Sequence, residues 1–231
     1  PRLEQLGYQR KAGEPEDDSL MRSSLASSLA FDFKLPEVRA ALLKQGDAAL
    51  KPTADGHLNL AAADPDLLGD ALGVAVQEHG KSAVDALIAE LPKTSDPALR
   101  NGILDGLASV EEPALAEQVR NFALTKPVKV GEMAMLLRAG RDTLAQRDAM
   151  WTWFTAHYQQ ILDRTGSFSG GRLPSLAAGG GCSTAEYDRL QAFFKTREKD
   201  AAGIGRGLAQ TGESIQLCIA LTAKQDPASI L

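Results

Sequence analysis

The chain has 231 residues and a formal net charge of −5, and its lysines and arginines are scattered rather than gathered into a stripe, which argues against binding along a nucleic-acid backbone. Hydrophobic residues make up 44% but aromatics only 5%, and alanine, leucine and glycine dominate, a composition of closely packed helices rather than of sheets. No apolar run approaches the roughly 18 to 20 residues of a membrane span and no signal-peptide pattern opens the chain. Cys182 and Cys218 form no CxxC pair, so neither their pairing nor a redox compartment follows from them.

An opening of Pro1-Arg2-Leu3-Glu4 without methionine is expected of a fragment of a larger protein. Acidic residues Glu16, Asp17 and Asp18 precede Leu20, Met21, Leu25 and Leu29, which predicts a helix over about 17–30 with its acids at the positive end of the dipole. Pro36 starts a second helix carrying Val38, Leu42 and Leu43, and 52–59 reads as a polar loop.

The middle of the chain repeats one punctuation: Asp64-Pro65-Asp66-Leu67, Asp96-Pro97-Ala98-Leu99 and Glu112-Pro113-Ala114-Leu115. In each, the acid caps free amides, proline takes the first helical position, where its missing N–H is no loss, and leucine begins the buried stripe. Ser82 and Asp85 form a capping-box-like pair ahead of Val84, Leu87, Ile88 and Leu91. Short helices, tight joints and apolar stripes recurring at roughly 16 to 32 residues predict an α-α superhelix, a HEAT-like solenoid of antiparallel helix pairs; an irregular helical bundle is the alternative, because the period drifts.

After Gly140 a longer helix through Met150, Trp151, Phe154, Tyr158, Ile161 and Leu162 is predicted, with Trp151 in the core. A glycine-rich stretch over 166–181 interrupts the helices; Ser183 then caps a helix through Tyr187, Leu190, Phe193 and Phe194, and a last helix carries Ile204, Leu208, Ile215 and Ile219.

Complete chemistry is missing from this pattern. The three histidines, His57, His79 and His157, form no His-Glu-x-x-His pair, and His79 before Gly80 reads as a helix-end residue. Cys182 and Ser183 sit in no nucleophile elbow, and Gly203-Ile204-Gly205-Arg206-Gly207 lacks the spacing and βαβ setting of a dinucleotide loop. Arg138, Arg141 and Arg147 cluster around the Gly140 joint. Arginines at a joint on the inner face of a solenoid suit bidentate capture of a substrate carboxylate, so Arg138 and Arg141 are the candidate substrate-binding residues, set against the plainer reading of a solvated surface.

The order of these motifs resembles a known family. Leu6-Gly7-Tyr8, Glu16-Asp17-Asp18 with Leu20 and Arg22, Asp64 to Leu68, Val74 to Gly80, Leu104-Asp105-Gly106-Leu107-Ala108, Arg147 to Phe154, Gly181-Cys182-Ser183 before Phe193-Phe194, and Gly212-Glu213-Ser214-Ile215 together are similar to the C-terminal helical domain of gluzincin zinc aminopeptidases, the group of aminopeptidase N and the puromycin-sensitive and endoplasmic-reticulum enzymes. The resemblance runs over essentially the whole chain, as many weak helical signals rather than one diagnostic motif. It implies one helical domain over 1–231 that caps a catalytic domain of the same polypeptide and forms a chamber governing peptide access. It also implies that zinc and the segment binding the substrate's amino terminus lie in that other domain, with no cofactor, nucleic-acid partner or membrane span here. Gly131-Glu132-Met133-Ala134-Met135 has letters like that segment in a different order, on a predicted helix, and inherits no role. A free-standing HEAT-like adaptor for a protein partner is the competing expectation.

Overall fold

The computed structural model describes residues 2–223, which divide into two compact units between Ala139 and Gly140. All regular structure among the described residues is helical, apart from an isolated bridge between Pro52 and Leu58 in the polar loop.

The first unit holds α1 (Arg2–Leu6), α2 (Glu16–Ser27), α3 (Pro36–Ala49), α4 (Leu68–His79), α5 (Lys81–Glu90), α6 (Pro97–Ala108), α7 (Pro113–Ala123) and α8 (Val130–Leu136). α4 packs against α3 and α6, α6 against α8, and α5 against α7, an order of neighbours consistent with stacked helix pairs. Leu42, Leu67, Leu72, Val74, Leu87, Ile103 and Leu107 are wholly buried among these helices. Glycine lets α6 approach α4: a Cβ on Gly102 would lie 2.6 Å from Leu68 Cδ2, and one on Gly106 would lie 2.7 Å from Leu72 Cβ.

Two of the three acid-proline starts hold as predicted in position. Asp96 caps α6 by accepting hydrogen bonds from the Ala98 and Leu99 amides at 2.8 and 3.0 Å, and Pro113 opens α7, although Glu112 makes no side-chain cap. The first start differs: α4 begins at Leu68, and Asp64 is buried in the preceding turn, where its carboxylate accepts from the Asp66 amide at 3.0 Å and from the Arg10 amide. Ser82 and Asp85 form no capping box. Gly80, at φ +57°, caps α5 two residues earlier, Ser82 donates to the His79 carbonyl, and Asp85 pairs with Lys81 and Gln118.

α2 also turns a different face inward. Ser19, Arg22 and Ala26 are buried, whereas Leu20 and Met21 are exposed, and the helix continues through a wider π turn, Ser28–Asp32. Arg22 is wholly enclosed and held by Glu14, to which it gives two hydrogen bonds, one of 2.8 Å. A charge drawn to Glu14 fixes the rotation of the helix, and two apolar side chains face out as a result.

The second unit holds α9 (Leu144–Ala156), α10 (Tyr158–Thr165), a 3₁₀ turn (Ser167–Arg172), α11 (Leu173–Ala178), α12 (Thr184–Lys195) and α13 (Ile204–Thr222). The long helix expected after Gly140 is therefore two. At His157 the backbone amide is shared between the Trp153 and Phe154 carbonyls, and the ring nitrogen Nδ1 lies 2.8 Å from the Trp153 oxygen, so the last turn of α9 tightens and stops. Trp153, 5% exposed, is the core tryptophan of α9, together with Met150 and Phe154; Trp151, expected there, is only half-buried and lies edge-on to Phe193 under the Arg189 guanidinium. Ser183 caps α12 as predicted, accepting from the Glu186 amide. Cys182 and Cys218, whose pairing the sequence left open, form a disulfide.

Candidate functional site

A cleft of about 710 Å³ opens in the first unit, lined by residues of α2, α4 and α6 together with Arg138. Small residues at the crossing of α4 and α6, Gly69, Ala98 and Gly102, leave the space, and the polar groups around it are Ser23, Ser27, Asp66, Asp70, Asn101, Asp105, Ser109 and Arg138. Gly69 is needed at this depth: a Cβ there would lie 3.0 Å from Asp105 Cβ.

The carboxylates differ in environment. Asp66 is tied into the fold: its backbone oxygen accepts from Ser23 Oγ at 3.1 Å, its carboxylate accepts from Ser19 Oγ, and Arg10 and Arg22 lie 3.8 and 3.9 Å away. Asp70 is pushed up to about 6, chiefly by burial and further by the neighbouring charge of Asp105, against the opposing hydrogen bond from Ser27. Burial also raises Asp105, and the positive charge of Arg138 pulls it back. This cleft offers paired acceptors, hydroxyls and one arginine, which suits holding a polar, charged chain. No histidine is among the residues that line it.

The three arginines singled out by the sequence have separate surroundings. Arg138 is exposed and lines the cleft of the first unit. In the second unit, Arg141 donates through Nη2 to the Ser175 and Gly179 carbonyls at 3.2 and 2.5 Å, and Arg147 donates to Glu186 at 2.8 Å and to the Asp142 carbonyl at 3.2 Å. Arg141 thus braces the glycine-rich loop that leads into α12, and Arg147 ties α9 to Glu186 on α12. Asp70 and Asp105 were not singled out as site residues. Their signal was there, as acids next to glycine in otherwise apolar helices, Gly69-Asp70 and Asp105-Gly106, but the same pattern describes many exposed helix positions.

The histidines do not fit a zinc site. His57 Nδ1 lies 2.7 Å from the buried Glu90 and His79 Nε2 lies 2.6 Å from Asp47, while the His157 ring stacks on Trp153 at 4.6 Å. Among the described residues no group of three potential ligands is placed to hold a metal ion. Glu132, in the segment whose letters resemble the family's amino-terminus-binding segment, lies on α8 and is engaged by Arg100. None of the described helices is long and apolar enough to cross a membrane.

An all-α chain with a polar cleft in its first unit is the class that fold and site define. The family model for the ERAP1-like C-terminal domain matches residues 1–217, and the chain belongs to that family. It is 26% identical over 216 residues to "Aminopeptidase M1" of Arabidopsis thaliana, a match covering 92% of this chain and 23% of the relative. It is also 26% identical over 230 residues to "Aminopeptidase M1-A" of Oryza sativa subsp. japonica, covering 94% of this chain and 24% of that protein. The chain therefore spans about a quarter of the length of these relatives.

Proposed function

We propose that this chain is the C-terminal domain of a zinc-dependent aminopeptidase, in which it caps the catalytic domain of the same polypeptide, completes the substrate chamber and governs which peptides enter. The family match over residues 1–217 carries this reading, because both relatives are named as aminopeptidases and both extend well beyond the aligned part. The order of neighbours in the first unit, α3 on α4, α4 on α6 and α6 on α8, is consistent with the α-α superhelix that a chamber wall needs, in which each pair adds a row of side chains to one surface. Zinc, and the polarisation of the scissile carbonyl, belong in this reading to the catalytic domain.

Within this chain, Arg138 and Arg141 are the proposed contacts for peptide carboxylates. Arg138 offers an exposed guanidinium beside a polar cleft, and a guanidinium meets a carboxylate through two parallel hydrogen bonds. Arg141 would make its contact beside the glycine-rich loop that it braces. The chain's contribution is to binding and orientation, not to the bond-breaking step.

Photo-crosslinking tests the assignment. A peptide of about ten residues with a photoreactive group in its C-terminal half should label residues of α2, α4 or α6 in the full-length enzyme, and excess unlabelled peptide should compete. Labelling that never falls on this chain would overturn the chamber-wall reading.

A further inference from the structure

The disulfide holds a part of the second unit that burial does not. α13 buries Ile204, Gly207, Leu208, Thr211, Gly212 and Ile215, and beyond Ile215 none of its residues is buried. Leu217 and Leu221, in these last two turns, are 58% and 64% exposed. Cys218 lies one turn past the last buried residue. A helix end without buried side chains opens locally at little free energy, because few apolar contacts hold it down.

The other half of the bond sits at the end of a glycine run whose last member, Gly181, is buried. Gly179, Gly180 and Gly181 precede Cys182, Gly180 lies at φ +83°, and a Cβ on Gly181 would come within 3.2 Å of Ile215 Cδ1. Three consecutive glycines lose more conformational freedom on ordering than any other residues would. The loop is held by the Gly179 and Gly181 amides donating to the Ser175 and Ala178 carbonyls at 2.8 and 3.2 Å, by the Arg141 bond to the Gly179 carbonyl, by the Cys182 amide donating to Glu186 at 2.9 Å, and by the disulfide. Both cysteines are only half-buried, so a small thiol can reach them with the fold intact.

We propose that Cys182–Cys218 is a redox latch: thiol–disulfide exchange with an external dithiol opens it in the native protein and releases the last two turns of α13 together with the loop at 179–182, while the rest of the unit stays folded. One thiolate of the dithiol attacks one sulfur of the bond and forms a mixed disulfide as the other cysteine leaves and takes a proton. The second thiol of the reagent then closes on the first. Two electrons and two protons end on Cys182 and Cys218, and the reagent leaves as its own disulfide, which can run the exchange backwards. The inference is independent of the proposed peptide contacts.

The test uses the full-length protein with and without millimolar dithiothreitol, read by amide hydrogen exchange. The latch predicts that the bond is reduced without denaturant, and that exchange in 179–183 and 216–222 then accelerates by about 10-fold or more while α9 and α12 keep their protection. The double variant Cys182→Ser with Cys218→Ser should show the reduced pattern in the absence of reagent. A bond that resists dithiothreitol until urea unfolds the unit would overturn the proposal. So would reduction with no local change, loss of protection across the whole unit, or a double variant that does not fold.

Discussion

Arg100 on α6 and Glu132 on α8 meet through two hydrogen bonds, 2.8 Å from Nε and 2.7 Å from Nη2, in a place where the arginine is only 5% exposed. The remaining donors reach the Leu91, Thr94 and Pro127 carbonyls at 2.7, 2.8 and 3.0 Å, so one guanidinium closes three chain segments onto α6. Removing one partner of such a pair leaves a buried charge and unmet carbonyls. Arg100→Met should lower the stability of the protein by about 3 to 5 kcal/mol in urea unfolding. The hydrogen bond from Arg100, against a weaker effect of burial, holds Glu132 below its ordinary value. A depressed carboxylate contributes stability that is present above its unfolded value and lost as pH falls through its folded value, so Arg100→Met should also flatten the loss of stability in acid. A change below about 1 kcal/mol with an unaltered acid limb would show that the pair is structurally idle.

Asp70 carries the opposite sign. Its folded value of about 6 lies above the ordinary aspartate value of 3.8, so the folded chain binds more protons than the unfolded one across that window. Its contribution to stability is therefore most favourable below pH 3.8 and declines as pH rises to about 6, after which it is flat. Asp70→Asn should stabilise the protein at pH 7 by about 1 to 2 kcal/mol and leave it little changed near pH 4. The check is the difference between variant and wild-type unfolding free energies across pH 4 to 7; a difference independent of pH would contradict the burial of this carboxyl.

Two helical glycines should respond to alanine in opposite directions. A Cβ on Gly46 would lie 2.9 Å from Ala75 Cβ and closer still to the Ala71 carbonyl, which belongs to the rigid backbone of α4. Overpacking of about 1 to 3 kcal/mol then outweighs the gain of up to about 1 kcal/mol in helix propensity, and Gly46→Ala should destabilise. Gly131 on α8 has nothing within 4 Å of such a Cβ, so Gly131→Ala should stabilise by roughly 0.5 to 1 kcal/mol. Thermal unfolding of both variants decides the matter, and equal shifts of the same sign would refute the close approach of α3 and α4.

Local signals such as Pro97, Pro113 and Ser183 were legible because each acts within one turn of its own helix. Leu20 and Met21 misled because the rotation of α2 is set by Glu14 closing on Arg22, an ion pair that hydrophobic periodicity does not register. Trp151 and Trp153, two positions apart on α9, point to nearly opposite faces, and Trp153 shares the inward side with Met150 and Phe154, so only one of the two can be the core tryptophan. The cleft was hidden for a related reason: Asp70 and Asp105 are 35 positions apart, and the approach of α4 to α6 that brings them together rests on glycines whose role appears only in three dimensions.

The central claim, the proposal that this chain selects peptides while another domain cleaves them, is tested most directly by Arg138→Glu in the full-length protein. Arg138 makes none of the bonds that hold the loop before α12, so its reversal separates peptide contact from loop stability more cleanly than Arg141→Glu would. Loss of a charge-assisted contact worth about 1.5 to 3 kcal/mol raises a Michaelis constant by roughly 10-fold or more. The account predicts that rise for peptides of about ten residues, with kcat and the constants for a single-residue chromogenic substrate unchanged. Equal losses on both substrates, or no loss on either, would contradict it.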